Sequence, residues 1–394
     1  MNAADEREYY RITPLNSNFR VLKDDIYICA SNYNGLFKAD VVNGTLKFIT
    51  KFECQNCLDM NLFLMESVEN TLVFLPIFAN EIALYDLEAG ELCEIPLSNI
   101  YTKDITNTSN IAICDDKVWI FPTKGRYMTE LDYKNKRIGS VIDIYDIYQN
   151  FFNMGYRILG VNGSYVYEDT VIIACWEKPY MIEFYPKNKT FRFVKVQECN
   201  LGFCALYGEG ENIYALNDDG YIYVWNIKRG EVVKKIYTGE EAKRQNNKFY
   251  RKIHIYNERI YLFPFSEITQ MKTIDLKLGA IDKKLPQWLQ SKNSDLFFGY
   301  ADKNKMYLYS NENHVMCVDL EKQCMDWGVD IQYDDAELKK IIVDDKNKVQ
   351  SGLIKESRAF LVKDLLRFTT VSDGKETENI FSRGDIIHNA IMYE

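Results

Sequence analysis

Short apolar runs recur along most of this chain, rich in Val, Ile, Leu, Tyr and Phe and broken by Asn, Asp or Gly. LVFLPIFANEIALYDLEAG from Leu72, VWIFPTKGRYMTELDYKNK from Val118 and IYALNDDGYIYVWNIKRG from Ile213 show the pattern. Each reads as a strand, a short loop, a second strand ending in Asp or a stand-in, and a turn. β-Branched and aromatic side chains suit a pleated surface, and the punctuating residues suit tight turns. The phrase occurs seven times, and its second strand ends at Asp40, Asp86, Asp132, Pro186, Asn226, Asp275 and Asp319. The steps between these positions are 46, 46, 54, 40, 49 and 44 residues.

Another short apolar run precedes most copies, as in MNLFLMESVEN before Leu72, and a fourth follows, as in LCEIPL from Leu92. Four strands in each repeat, at a period in the forties, predict antiparallel blades arranged around an axis. The expected fold is all-β: a seven-bladed β-propeller of four-stranded antiparallel blades over residues 19–332. Continuous apolar runs fit middle strands covered on both faces by neighbouring blades, and 28 Tyr and 22 Phe supply the filling. Asp at the end of the second quoted strand is read as a turn former, as are Asn70, Asp115, Asp116, Asn212 and Asn304 between the first two strands of a blade. Pro76, Pro122 and Pro264 close the strand before the loop, where a missing N–H is tolerable.

In period and strand order the chain resembles the β-propeller superfamily, and within it the kelch or galactose-oxidase-like and WD40-like groups. The blade IYALNDDGYIYVWNIKRGEVV is nearest to a WD40 or quinoprotein unit, with Trp225-Asn226 where WD would fall. The kelch Gly-Gly doublet is missing from every blade, and none carries a regular WD with its partner His. The resemblance therefore implies architecture and carries no activity.

Two segments flank the repeats. Residues 1–18 contain YYRITPL, which resembles an outer strand and is the expected ring-closing segment, with MDWGVDI at 325–331 competing for the same place. Residues 333–394 lose the strand rhythm; DDAELKKIIVDD, KESRAFLVKDLLRF and SRGDIIHNAIMY predict a small α-helical extension. MNAADEREYYRITPL has no apolar core of signal-peptide length and no window reaches membrane-spanning length, so the expected location is the cytoplasm with no membrane partner. A formal charge of −9 argues against nucleic acid. Ten Cys at irregular spacing fit reduced buried thiols; CQNC at Cys54 to Cys57, with Cys199 and Cys204, is a weak zinc half-site, and no metal or other cofactor is assigned.

Loops on a rigid scaffold carry function, so the face bearing the connections between second and third strands is the default site. Its candidate ligand-binding residues are Asn34, Asn80, Glu81, Arg126, Trp176, Glu177, Asp218, Glu267 and His314. No catalytic residue can be assigned: His254, His314 and His388 are the only histidines, and no nucleophile elbow or P-loop occurs. KRQNNKFYRK, Lys243 to Lys252, is the most basic run and suits phosphate or an acidic partner. The expected role is a binding or assembly platform for a protein partner or a small polar ligand such as a carbohydrate, peptide or anion. The alternative is an enzyme acting on a carbohydrate or small anionic substrate in the central pocket of that face.

Overall fold

The computed structural model describes residues 19–30, 35–52, 63–76, 81–97, 108–122, 126–152, 161–175, 178–217, 219–239, 250–264, 271–282, 296–302, 304–310, 314–333 and 337. They form seven antiparallel sheets, each built from four strands that follow one another in the chain. Blade one holds β1 (Phe19–Leu22), β2 (Asp25–Ala30), β3 (Gly35–Asp40) and β4 (Thr45–Lys51). Blade two holds β5 (Phe63–Val68), β6 (Thr71–Pro76), β7 (Glu81–Asp86) and β8 (Glu91–Pro96). Blade three holds β9 (Thr108–Cys114), β10 (Lys117–Pro122), β11 (Tyr127–Asp132) and β12 (Arg137–Asp143). Blade four holds β13 (Val161–Tyr167), β14 (Thr170–Cys175), β15 (Tyr180–Tyr185) and β16 (Thr190–Lys195). Blade five holds β17 (Phe203–Glu209), β18 (Asn212–Asn217), β19 (Tyr221–Asn226) and β20 (Glu231–Tyr237). Blade six holds β21 (Tyr250–Tyr256), β22 (Arg259–Pro264), β23 (Lys272–Asp275) and β24 (Ala280–Ile281). Blade seven holds β25 (Leu296–Asp302), β26 (Lys305–Ser310), β27 (His314–Asp319) and β28 (Cys324–Asp330). First strands pack beside first strands from blade one through blade five and on to blade six, and β25 returns to β1. The chain is a seven-bladed β-propeller.

The continuous apolar runs have a direct physical cause. Alternate side chains of a middle strand point into opposite seams. Leu72 and Phe74 of β6 join Tyr27, Cys29 and Leu36 of blade one, while Val73 and Leu75 join Val118 and Ile120 of blade three. Seven such apolar clusters occupy the seven seams between neighbouring blades. Burying one Phe there is worth roughly 2 to 3 kcal/mol. Outer strands have solvent on one face, and β12, β16 and β20 accordingly alternate exposed and partly buried residues.

The turn aspartates do what their positions suggest. Asp86 Oδ1 accepts the backbone N–H groups of Glu88 (2.8 Å) and Ala89 (3.0 Å), and Asp319 Oδ1 accepts those of Glu321 and Lys322 at 3.0 and 2.9 Å. Four residues after each strand end the backbone turns left-handed, at Gly44, Gly90, Lys136, Lys189, Gly230, Gly279 and Gln323. In the fourth blade β15 ends at Tyr185, one residue before the Pro186 of the repeat alignment.

Blade seven takes its outer strand from the run Met325 to Ile331, since β28 pairs with β27 throughout its length. The chain then crosses to blade one, where β29 (Gln332–Tyr333) adds in parallel to β4. Glu337 Oε2 accepts the N–H of Phe48 (2.8 Å) farther along the same edge. The alternative closing segment, residues 9–15, and the helical extension beyond residue 337 lie outside the described residues. One helix escapes the strand rhythm: α1 (Ile144–Phe152) fills the connection between blades three and four, which explains the 54-residue step. Its Ile144 and Tyr148 enter the seam, and Phe151 stacks on Phe193 at 4.2 Å. No helix among the described residues is long and apolar enough to cross a membrane.

Candidate functional site

Of the nine residues expected on the loop face, Asn34, Asn80, Trp176, Glu177, Asp218 and Glu267 lie outside the described residues. Glu81 and His314 open the third strand of their blades, two strands out from the axis, and Arg126 directly precedes that of blade three. Two of them are held by the outer strand of their own blade. Arg126 Nε donates to Asp143 Oδ2 at 2.6 Å, and the guanidinium lies 5.5 and 5.6 Å from the rings of Tyr127 and Tyr145. His314 Nδ1 lies 2.5 Å from Asp330 Oδ1. Asp143 thus occupies the guanidinium, and Asp330 the imidazole, that an anionic ligand would otherwise use. Glu81 Oε1 is buried without a hydrogen-bond partner among the described residues. Cys199 and Cys204 are buried, Asn217 Nδ2 contacts the Cys199 sulfur, and burial pushes that thiol up to about 11. Cys54 and Cys57 lie outside the described residues, as does most of the basic run, although its Tyr250 is buried in the seam of blades five and six.

A concave feature among the described residues lies on the opposite face, and it begins with the inner strands. Two places before the end of each first strand stand Arg20, Glu66, Ala112, Tyr165, Tyr207, His254 and Tyr300. Most of this belt reaches across a seam. Arg20 Nε donates to Glu66 Oε2 at 3.1 Å, and its guanidinium lies 5.8 Å from the Tyr300 ring. Tyr165 Oη donates to the carbonyl of Gly210 and Tyr207 Oη to that of Ile255, both at 3.2 Å. The Tyr207 and His254 rings meet edge to face at 5.5 Å. Burial pulls His254 down to about 4, so its imidazole is neutral near pH 7.

Beyond the belt, the last residues of the first strands of blades five, six and seven open onto a cleft of about 770 Å³. In those three blades that residue is Glu209, Tyr256 and Asp302 in turn: a carboxylate, a phenol and a carboxylate at equivalent places. Tyr207 and His254 line the inner wall, and Asn257, Asn304 and Glu321 line the rim, all from tight turns or their edges. Asn257 has a left-handed backbone, as the second strand's return requires in so short a hairpin. Burial, then the charge of Glu209, raises the Tyr207 phenol, and burial followed by Asp302 raises Tyr300.

Among the described residues Glu209, Asp302 and Glu321 have no ion-pair partner. Neighbouring carboxylates on the same face are matched, as in Lys228 with Glu211, Lys277 with Glu258, Lys305 with Asp326 and Lys322 with Asp319. A cleft with three exposed carboxylates, a neutral imidazole and two phenols can accept hydrogen bonds from a cation and offer it aromatic faces. The loop-face reasoning missed it because its residues come from strand ends and tight turns. The available signal was the recurrence of an acidic residue after Tyr-Gly and Tyr-Ala, in LYGE and GYAD.

No family model and no curated protein matches this chain. Among solved structures 1652 chains match, so the architecture is widespread and does not select a function. One of them is the computationally designed Ika8 protein, with a TM-score of 0.53, 10% identity, and coverage of 82% of this chain and 90% of that chain. At that identity the likeness concerns the fold alone.

Proposed function

We propose that this propeller is a binding platform: a stiff disc that holds a protein partner on the face where the inner strands of blades five to seven end. The observation that carries the reading is the cleft of about 770 Å³, whose carboxylates have no ion-pair partner among the described residues and include Glu209 and Asp302 at equivalent places of the repeat. A scaffold closed through seven apolar seams supplies rigidity, so little order is lost when a partner docks. The enzyme reading has less support among the described residues, where Arg126 and His314 are committed to Asp143 and Asp330 and no converging pair of catalytic groups accompanies them.

The test is affinity isolation of the full chain beside a Glu209→Gln, Asp302→Asn, Glu321→Gln variant, followed by native mass spectrometry. A stoichiometric partner held by the unmodified chain and lost from the variant is expected. A partner held equally by both would move docking to another face. A chain carrying only a small molecule, released by changes on the loop face, would favour the enzyme.

A further inference from the structure

The turn after each third strand repeats seven times, so its chemistry can be compared within one molecule. Three places past the strand end stand Asn43, Ala89, Asn135, Asn188, Arg229, Leu278 and Lys322, followed by Gly44, Gly90, Lys136, Lys189, Gly230, Gly279 and Gln323. Blade one alone puts Asn before Gly in this turn. Glycine has no Cβ to keep its backbone nitrogen away from the preceding side-chain amide. We propose that Asn43–Gly44 is a site of spontaneous covalent modification, where loss of the side-chain amide converts Asn43 to an isoaspartyl or aspartyl residue and loosens the junction of blades one and seven. This is independent of what docks on the disc.

The reaction consumes only water. The Gly44 nitrogen bonds to Asn43 Cγ, the Cγ–Nδ2 bond breaks, and the Gly44 amide proton leaves with Nδ2 as ammonia, closing a succinimide ring. Water then opens the ring. Addition at Cγ restores the ordinary main chain with Asp, whereas addition at the backbone carbonyl carbon routes the chain through Cγ, longer by a methylene, and frees that carbonyl as a carboxylate. Asn43 is exposed, so water reaches it. Gly90, Gly230 and Gly279 donate their N–H to the strand-end carbonyls of Asp86, Asn226 and Asp275 at 2.8, 2.9 and 2.8 Å. Gly44 makes no such bond among the described residues, which leaves its nitrogen freer to attack. Asn135 is the internal control: its Nδ2 donates to Asp132 Oδ2 at 2.9 Å as that of Asn43 does to Asp40 Oδ2 at 2.7 Å, yet Lys136 follows it.

The consequence follows from where the turn sits. The Asn43 side-chain amide, then its backbone N–H, holds the Asp40 carboxyl below the usual carboxylate range, so Asp40 is ionised near neutral pH. Either product removes the amide donor and adds a like charge beside Asp40. The isoaspartyl product also lengthens the main chain directly before Gly44, whose carbonyl accepts the Gln332 N–H at 2.9 Å and whose added Cβ would stand 2.7 Å from the carbonyl oxygen of Asp330. A packed junction has no space for the longer chain.

The experiment is prolonged incubation of the full chain in mildly alkaline buffer, followed by peptide mapping with electron-transfer fragmentation and by urea melts. Asn43→Gln, whose longer side chain closes the corresponding ring far more slowly, is incubated in parallel. Asn43→Ala, which copies the Ala89–Gly90 pair of blade two, serves as a second unreactive chain. The peptide of residues 39–47 is expected to gain isoaspartate and aspartate while Asn135 and Asn188 keep their amides. The urea midpoint of the parent should fall as conversion proceeds, and the midpoints of the two variants should hold at their starting values. An Asn43 that keeps its amide in the folded chain while a urea-unfolded sample converts would overturn the inference, as would conversion with an unmoved midpoint. Asn34 and Asn162 also precede glycine, so a midpoint that falls equally in the parent and both variants would assign the loss to those positions and overturn it too.

Discussion

The backbone N–H of Gln332 donates to the carbonyl of Gly44 at 2.9 Å, joining the end of blade seven to the outer edge of blade one. The same glycine leaves no room for a side chain. An added Cβ would stand 2.7 Å from the carbonyl oxygen of Asp330 and 3.3 Å from Val329 Cγ2. The seam behind this contact holds Phe19, Ile28 and Phe37 of blade one with Tyr309, Val315 and Ile331 from the end of the ring. Closure thus combines an apolar seam with a short parallel strand on the outside.

Gly44→Ala is expected to destabilise the chain more than Gly230→Ala, although both residues have φ of +66°. A left-handed alanine costs about 1 to 2 kcal/mol in either place. Gly230 has nothing within 4 Å of the added atom, whereas Gly44 meets the closing strand. Denaturant melts of the two variants should differ by roughly 1 to 3 kcal/mol, the cost of the overpacking. Equal melts would mean that the contact between blades one and seven contributes nothing to closure.

A second steric test lies on the inner belt. A Cβ on Gly208 would stand 2.0 Å from Cγ of the Tyr165 ring, so blade four's tyrosine fits only because blade five has a glycine there. Gly208→Ala should cost roughly 1 to 3 kcal/mol. Adding Tyr165→Ala should recover part of that loss, and a double-mutant cycle reads the coupling. Additive costs would show that the ring does not press on Gly208.

Asp86 gives an acid-sensitive turn. The backbone N–H groups of Ala89 and Glu88 hold its carboxyl below the usual carboxylate range. A group whose folded pKa is depressed stabilises the fold above its unfolded pKa and loses that contribution as pH falls through the folded value. Urea midpoints should therefore drop below about pH 4. Asn226 fills the same place in blade five and accepts the Arg229 N–H at 3.0 Å. Asp86→Asn should accordingly fold at neutral pH and flatten the acid limb, and an unaltered limb would assign it to other groups.

His254 titrates in a higher window. Burial lowers it to about 4 from 6.5, so its neutral form stabilises the fold above about pH 6.5 and that contribution is lost as pH falls toward 4. The full difference is worth roughly 3 kcal/mol. Replacing His254 with Gln should remove the slope between those pH values, measured by the same urea melts. A slope that survives would place the titrating group elsewhere.

The architecture was legible because each seam demands apolar residues at every position of the middle strands, as LVFLP of β6 and VWIFP of β10 show. Turn chemistry was equally legible, since an Asp such as Asp40 bonds its own turn through the N–H groups of Val42 and Asn43. Helix α1 was hidden because IYDIYQNFF carries the same β-branched and aromatic residues as the strands, and only its 3.6-residue spacing separates it from them. Ring closure was ambiguous because YYRITPL and MDWGVDI have similar patterns, and only pairing with β27 distinguishes an outer strand. The cleft could not be read from loop composition. Glu209, Tyr256 and Asp302 lie 47 and 46 residues apart and line one cleft only because the strands share one register around the axis.

The central claim is that the molecule works by holding a partner on the cleft face of blades five to seven. Carboxylate-to-amine crosslinking of the full chain isolated with its bound partner, read by mass spectrometry, tests it most directly. The account predicts crosslinks from Glu209, Asp302 or Glu321 to basic residues of one stoichiometric partner. Crosslinks confined to the loop face that bears Arg126 and His314, or a chain isolated with no protein partner, would contradict it.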